Sequence, residues 1–175
     1  MSDCQEADII TAVFSAGSVH RAGVRGLIVL ALVTVALLGV GAGAAGATTL
    51  KVQAITYSTE SLSKFLQDRR AAPTPFDWSS DGCSTPNVGA LSSAYNTLFR
   101  NGCLRHDFGY RNFGQDGLRL EPTESRRGKL DHQLLTDLRG ICAKQPLSKR
   151  VRCLSVANTY YSGVRVFGGP AFFVG

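Results

Sequence analysis

The chain has 175 residues, 44% of them hydrophobic, and a formal net charge of +6. This length is enough to bury one core, and the absence of repeats and long low-complexity runs predicts one modest domain rather than a repeat or disordered protein. The lysines and arginines are scattered, which disfavours nucleic acid as a partner and favours a solvated basic surface. Attraction to anionic membrane lipid is the alternative interpretation of the charge.

The amino-terminal segment has the organisation of a secretory signal peptide. Arg21 and Arg25 precede an apolar run, Gly26–Ala47, whose second half consists mainly of glycine and alanine and ends in Ala-Gly-Ala. A positive region, an apolar region and a small-residue cleavage site are the three parts of such a signal. We therefore expect residues 1–47 to be removed and residues 48–175 to form a secreted, extracellular domain. The alternative is a retained membrane anchor, because the run is just long enough to span hydrocarbon.

Four cysteines remain after the signal segment: Cys83, Cys103, Cys142 and Cys153. An even number in a short exported domain predicts disulfides, and four cysteines permit three pairings. Their order favours the local solution, Cys83 with Cys103 and Cys142 with Cys153, because each pair then joins neighbouring elements. Zinc binding is the competing use, but there is no C-x-x-C motif and the chain has only three histidines.

Hydrophobic periodicity predicts an all-α domain with no convincing strand. The predicted helices cover residues 57–70, 92–112, 125–143 and 149–167, with a loop at 76–89 and a connector at 114–124. Two buried faces are expected: Leu130, Leu134, Leu138 and Ile141 on the third helix, and Val151, Leu154, Ala157, Tyr161, Val164 and Phe167 on the last.

A histidine and an aspartate stand side by side in NGCLRHDFGYRNFG, Asn101–Gly114. On a helix, Cys103, His106, Asp107 and Tyr110 are three or four residues apart and share one face. If Cys103 is bonded to Cys83, the loop containing Asp81 is fastened beside this face.

Two carboxylates, those of Asp81 and Asp107, are thereby expected to lie close together. Like charges in a partly buried place raise each other's pKa unless a cation sits between them. Carboxylate, backbone carbonyl and water oxygens suit Ca²⁺, whose flexible coordination tolerates an irregular loop. The sequence thus predicts a calcium site.

His106 is a poor calcium ligand, which indicates another role. A neutral imidazole beside a cation can take a proton from water, and a carboxylate on the facing helix can orient the ring and stabilise its protonated form. Asp131 and Asp137 are the two candidates. Asp131 is favoured because it lies on the leucine side of its helix, whereas Asp137 lies off that stripe beside Arg139.

Four segments of the chain resemble secreted phospholipases A2 of the bacterial and fungal type, the small helical branch that includes the streptomycete enzymes. The segments are DWSSDGC, NGCLRHDFGYRNF, LDHQLLTDLRGIC and NTYYSGVRVFG, and the resemblance extends over residues 76–168. It implies a small helical domain with two antiparallel catalytic helices, and it implies the two disulfides favoured above. His106 is then the general base and Asp131 its partner, while Asp81, the carbonyl of Gly82 and Asp107 are the calcium ligands.

The reaction implied by this resemblance is calcium-dependent hydrolysis of the sn-2 ester of glycerophospholipids. The expected partner is a phospholipid membrane or micelle surface, with the chain acting as a monomer and no nucleic acid involved. Phe76, Leu98, Phe99 and Leu134 are candidates to line an acyl-chain slot, and Tyr160 and Tyr161 are candidates to reach the Asp131 carboxylate. Two other classes remain as alternatives: a non-catalytic secreted effector or lipid-binding module, and a membrane-anchored structural protein.

Overall fold

The computed structural model describes residues 41–83 and 90–174. Most of the expected signal segment and residues 84–89 of the expected loop lie outside these ranges, and the predicted cleavage position falls inside the first helix. No helix within the described ranges combines the length and apolarity needed to cross a bilayer. The all-α prediction is confirmed, since the described residues form helices and no strand. The helices are α1 Gly41–Thr59, α2 Leu62–Ala71, α3 Ala90–Phe113, α4 Glu124–Ala143, α5 Leu147–Phe167 and α6 Gly169–Phe173.

Helices α3 and α4 form an antiparallel pair that approaches closely at two glycines. A Cβ on Gly102 would be 2.9 Å from Leu138, and a Cβ on Gly109 would be 2.6 Å from Leu130. Residues later in α3 therefore contact residues earlier in α4. Helix α4 also packs along α5, so that it lies between the other two long helices. This arrangement brings the middle of α3 to the first half of α4.

Both predicted disulfides are confirmed. Cys83 is bonded to Cys103 with a Cα–Cα distance of 5.3 Å, and Cys142 is bonded to Cys153 with a Cα–Cα distance of 5.5 Å. The first bond ties the loop before α3 to the middle of that helix. The second bond closes the short connection between α4 and α5. The loop that carries Asp81 is thus held beside α3, as the local pairing requires.

The prediction of one helix over residues 57–70 was wrong. Helix α1 continues to Thr59, and α2 begins at Leu62 after a break at Glu60 and Ser61. Ser61 is the N-cap of α2: its backbone is extended and its side chain accepts a hydrogen bond from the backbone N–H of Lys64 at 3.2 Å. A serine in this role satisfies an otherwise unpaired donor, so it starts a helix better than it continues one.

The face that α5 buries agrees with the prediction only in part: Ala157 is buried and Leu154, Tyr161 and Val164 pack against the core, but the predicted residues at the two ends do not. The buried residues of this helix are Cys153, Ala157 and Tyr160, whereas Val151 and Phe167 are 80% and 67% exposed. Cys153 is bonded to Cys142 and buried, and Val151, two residues before it, is on the opposite side of the helix. At the other end, Phe167 lies at the rim of a cavity rather than in the core.

An aromatic cluster fills the space between α1, α2 and α3. Trp78 packs against Phe108 with ring centroids 4.4 Å apart, and Tyr57 contacts the same two rings. Phe65 and Phe76 complete the cluster and are buried with it. Since Phe76 and Trp78 belong to the loop before α3, their burial fixes the course of this loop toward Asp81.

Candidate active site

The imidazole of His106 and the carboxylate of Asp131 meet where α3 faces α4. His106 Nε2 lies 2.8 Å from Asp131 Oδ1, and the hydroxyl of Tyr110 donates to the same oxygen at 2.7 Å. His106 and Tyr110 are one turn apart on α3, and their ring centroids are 4.2 Å apart. Asp131 is fully buried, while His106 is 9% exposed and reaches a cavity. The structure therefore brings together the two side chains that the sequence predicts to work as a pair.

The second oxygen of Asp131 faces two arginines that were not among the predicted site residues. Arg165 Nη1 donates to Oδ2 at 2.7 Å, and Arg127 Nη1 approaches the same atom at 3.5 Å. Burial raises the pKa of Asp131, but hydrogen bonds and charge from His106, Arg165 and Tyr110 outweigh it and hold the pKa below its ordinary value. Asp131 is accordingly an anion at neutral pH.

The other candidate partner, Asp137, has a different position. It forms a buried ion pair with Arg105, whose Nε donates to Asp137 Oδ2 at 2.8 Å. Arg105 also donates to the backbone carbonyl of Glu60, between α1 and α2. Asp137 therefore joins the two amino-terminal helices to α4. It is 7% exposed, so the expectation that it lies off the buried side of α4 was wrong, and its carboxylate pairs with Arg105 rather than with His106.

The predicted metal ligands lie on the loop before α3 and on α3 itself. Asp107 accepts a hydrogen bond from the Ser80 hydroxyl. Asp81 is close enough to affect the titration of Asp107 and is contacted by Arg111 Nη2 at 3.4 Å. The pKa of Asp107 is raised, chiefly by burial and further by the negative charge of Asp81, although Ser80 and His106 oppose the change. The pair thus has the electrostatic character that a bound cation relieves.

A buried asparagine holds the same loop in place. Asn112 is fully buried, and its Oδ1 accepts from the backbone N–H of Asp77 at 2.9 Å while its Nδ2 donates to the Asp77 carbonyl at 2.8 Å. Farther along the loop, Gly82 has φ +84°, which is a conformation that residues with a Cβ rarely adopt. The loop therefore reaches α3 in one defined path, with Gly82 beside Asp81.

These residues fit a calcium ion by the chemistry of their donors. Asp81 and Asp107 supply hard carboxylate oxygens, Gly82 adds a backbone carbonyl at the same cavity, and water can complete the shell. Among the described residues, no three His, Cys, Asp or Glu side chains are grouped so as to hold a metal. A cation here would consequently depend on two carboxylates and on backbone and water oxygens.

A cavity of about 390 Å³ opens in front of His106 and the two aspartates. Its polar side also includes Arg111 and Asp116, while its apolar side is formed by α4, α5 and α6. The apolar lining residues are Leu134, Tyr160, Gly163, Val164, Phe167, Gly168 and Ala171. The volume falls within the range of small-molecule sites.

The predicted slot residues are divided between this cavity and the core. Leu134 lines the cavity, but Phe76 and Phe99 are buried in the two hydrophobic clusters and Leu98 packs against one of them. Placing Phe76 and Phe99 in the slot was therefore wrong, because both rings are used to fill the core.

The phenol that reaches Asp131 belongs to Tyr110 and not to the tyrosine pair on α5. The hydroxyl of Tyr160 donates to Asn96 Oδ1, and the ring of Tyr161 contacts His132. The sequence did contain a signal for Tyr110, since it is four residues from His106 on the same helix face.

Comparison with known proteins agrees with the resemblance that the motifs carry. Residues 53–168 match a family model described as prokaryotic phospholipase A2. A secretory phospholipase A2 of Beauveria bassiana is 37% identical over 111 residues, which cover 63% of this chain and 54% of that protein. A secretory phospholipase A2 of Arthroderma benhamiae is 36% identical over 115 residues, covering 63% and 72% respectively. The matched part is thus about half of the Beauveria protein.

Proposed function

Because this chain belongs to the prokaryotic phospholipase A2 family, we propose that it is a secreted, calcium-dependent phospholipase A2. The substrate is a glycerophospholipid, and the products of hydrolysis at the sn-2 ester are a lysophospholipid and a free fatty acid. The observation that carries the proposal is the 2.8 Å contact between His106 Nε2 and the buried carboxylate of Asp131, at a cavity that Asp107 also lines.

His106 is the general base in this proposal. Since its Nε2 is engaged with Asp131, Nδ1 is the ring nitrogen that accepts a proton from the attacking water. The water oxygen bonds to the sn-2 carbonyl carbon, and Asp131 stabilises the imidazolium that results. The bond between this carbon and the ester oxygen then breaks, and the imidazolium proton passes to the alkoxide oxygen of the departing lysophospholipid. No acyl-enzyme forms, because no serine or cysteine nucleophile takes part.

Asp81, the carbonyl of Gly82 and Asp107 are the proposed calcium ligands. Bound Ca²⁺ would hold the substrate phosphate and the sn-2 carbonyl oxygen and stabilise the negative charge that develops there. The Ser80 hydroxyl, through its hydrogen bond to Asp107, keeps that carboxylate turned toward the loop. Arg111 adds a positive charge beside Asp81 at the polar wall of the cavity.

A phospholipid membrane or micelle surface is the proposed partner, and the chain acts on it as a monomer. Apolar side chains are exposed at the ends of α5 and α6: Val166 is 69% exposed, Phe167, which lines the cavity, 67%, and Val174 77%. Exposed residues of this kind can enter a lipid layer without an ordered protein partner. A lipid acyl chain could then pass into the cavity along Phe167 and Ala171, both of which line it.

The test is a fatty-acid release assay on mixed phospholipid vesicles, with calcium or EDTA present and product positions identified by mass spectrometry. His106→Ala and Asp107→Asn should each abolish hydrolysis while the helical circular dichroism is kept. The matched controls are His132→Ala and Asp68→Asn, which change the same residue types away from the cavity lining.

Three outcomes would contradict the proposal in different ways. Hydrolysis that persists in both active-site variants would rule out the catalytic role assigned to His106 and the calcium-binding role assigned to Asp107. Hydrolysis that is unaffected by EDTA would show that the reaction does not require calcium. A wild-type chain that binds vesicles but releases no fatty acid would favour the non-catalytic lipid-binding alternative.

A further inference from the structure

The side of Asp131 that faces away from His106 is bound by a cluster of charged residues that the proposed reaction does not use. Oδ2 accepts from Arg165 at 2.7 Å and is approached by Arg127 at 3.5 Å. Oδ1 is the atom that meets His106 and Tyr110. The carboxylate is therefore contacted by four groups from three helices, two at each oxygen.

Glu124 joins the two arginines to each other. It accepts from Arg127 Nε at 2.7 Å and from Arg165 Nη2 at 2.5 Å. Hydrogen bonds from Arg127 and Arg165 lower the pKa of Glu124 to about 2, so it is ionised at neutral pH. With neutral His106, the charges of Glu124, Arg127, Asp131 and Arg165 sum to zero.

The arginines are themselves held in place. Arg127 Nη1 donates to the carbonyl of Val164 at 3.0 Å, and its Nη2 donates to the carbonyl of Arg165 at 3.3 Å. These bonds run from α4 to the carboxyl-terminal part of α5. Arg165 can therefore reach Asp131 only when α5 is docked on α4, and its planar fork contacts Asp131 and Glu124 at once.

A fully buried carboxylate is costly unless its charge is compensated and its oxygens accept hydrogen bonds. His106 and Tyr110 occupy Oδ1 alone, which would leave Oδ2 without a strong donor. The 2.7 Å bond from Arg165 supplies this donor and resists rotation of the carboxylate about χ2. Arg127, at 3.5 Å, is the weaker of the two contacts.

We propose that Arg165 is a positioning residue for ester hydrolysis: it holds Asp131 so that Oδ1 remains directed at His106 Nε2. The inference rests on the proposed function. Neither Arg165 nor Glu124 is among the described residues that line the cavity. Their effect is therefore on turnover, transmitted through Asp131, and not on the binding of lipid or calcium.

The experiment compares Arg165→Gln with Arg165→Lys and with Arg139→Gln. Arg139 also links α4 to α5, through Asn158 at 3.1 Å, but is remote from Asp131 and serves as the matched control. R165Q should lower kcat by about 10- to 100-fold. KM and the calcium midpoint, which is the calcium concentration that gives half-maximal hydrolysis, should each stay within about twofold of wild type. R165K should recover part of kcat, because it keeps the charge but not the planar fork. R139Q should leave kcat unchanged.

A second readout does not depend on hydrolysis. In NMR spectra of protein with isotope-labelled histidine, R165Q should shift the ring N–H resonance of His106 and leave that of His132 unchanged. If the wild-type protein releases no fatty acid, the proposed function fails, but this resonance still decides whether Arg165 positions Asp131. If R165Q keeps wild-type kcat, or if the His106 resonance does not move, the positioning role is overturned.

Arg165→Gln combined with Glu124→Gln covers the case in which R165Q alone does not fold. This double variant removes one positive and one negative charge, so the net charge is unchanged, yet Asp131 Oδ2 still loses its closest donor. We expect kcat to stay at least about tenfold below wild type in the folded double variant. A return to wild-type kcat would show that only charge balance matters and would refute positioning by Arg165.

Discussion

Gly168 lies so close to Tyr110 that a Cβ on the glycine would be 2.7 Å from the phenolic oxygen and 2.5 Å from the carbonyl of Val164. The backbone of Gly168 is in the ordinary helical region, so its small size and not its flexibility is needed. Gly168→Ala should displace Tyr110 from Asp131, lower the free energy of unfolding by about 1–3 kcal/mol and reduce kcat. Gly169→Ala is the control for urea denaturation and lipid hydrolysis, because its Cβ would meet nothing within 4 Å. Equal behaviour of the two variants would argue against this contact.

Gly163 lines the cavity, and a Cβ there would meet nothing within 4 Å. A larger side chain would therefore project beside the apolar wall where an acyl chain is proposed to bind. Gly163→Leu should lower kcat/KM for long sn-2 chains by about tenfold and affect short chains less. Gly140→Leu is the matched control, since its Cβ is equally unobstructed and it does not line the cavity. Replacing either glycine by leucine should stabilise its helix by up to about 1 kcal/mol, so unfolding is not expected to explain a loss of activity. A loss of long-chain activity in both variants would contradict a role specific to Gly163.

Asn112 connects the loop before α3, which carries the proposed calcium ligands Asp81 and Gly82, to α3 through both backbone polar groups of Asp77. Asn112→Ala should cost about 2–3 kcal/mol of unfolding free energy, because buried groups lose their partners. It should also raise the calcium concentration needed for half-maximal hydrolysis, since Asp81 and Gly82 belong to the loop that is released. Calcium titrations of this variant and of Asn158→Ala, an exposed asparagine on α5, give the comparison. An unchanged calcium midpoint in a destabilised Asn112→Ala protein would mean that contacts other than those of Asn112 are sufficient to hold Asp81 and Gly82 in place.

The sequence was sufficient for those features that depend on local spacing. The leucines of α4 recur at three- and four-residue steps, and Leu130, Leu134 and Leu138 are buried as this spacing predicts. The His106–Asp107 pair and Cys103 share one face because helix geometry places them there. The choice of Asp131 over Asp137 came from the leucine side of α4, and the structure places Asp131 next to His106.

Other features require the tertiary packing that no local pattern contains. Arg165 is 34 residues from Asp131 along the chain, and only the docking of α5 brings them together. Arg127, four residues before Asp131, had a helical-spacing signal that could have been used. Periodicity alone also did not show the exposure of Val151, which is two residues from Cys153 and therefore on the side of α5 opposite to the buried disulfide.

The buried charge of Asp131 also predicts how stability depends on pH. Its pKa lies below the ordinary 3.8, because the bonds to His106, Arg165 and Tyr110 outweigh burial. A depressed pKa in the folded state means that the carboxylate stabilises the fold above its unfolded pKa and that this contribution is lost as the pH falls through the folded pKa. Asp131→Asn should therefore lower the free energy of unfolding at pH 7 by about 3 kcal/mol, the usual cost of breaking a buried ion pair.

The difference between wild type and Asp131→Asn should shrink as the pH falls below the ordinary pKa of Asp131, and it should vanish only once the pH has fallen through the lower pKa of the folded state. Both chains then have a neutral group at this position, and Arg127 and Arg165 lack their carboxylate partner in each. Urea denaturation followed by circular dichroism at pH 7, 5 and 3 measures the difference, with the exposed Asp116→Asn as control. A penalty that stays constant over this range would mean that Asp131 stabilises the fold by shape and hydrogen bonding and not by charge. The two arginines would then have to be compensated by Glu124 alone, which accepts from both of them.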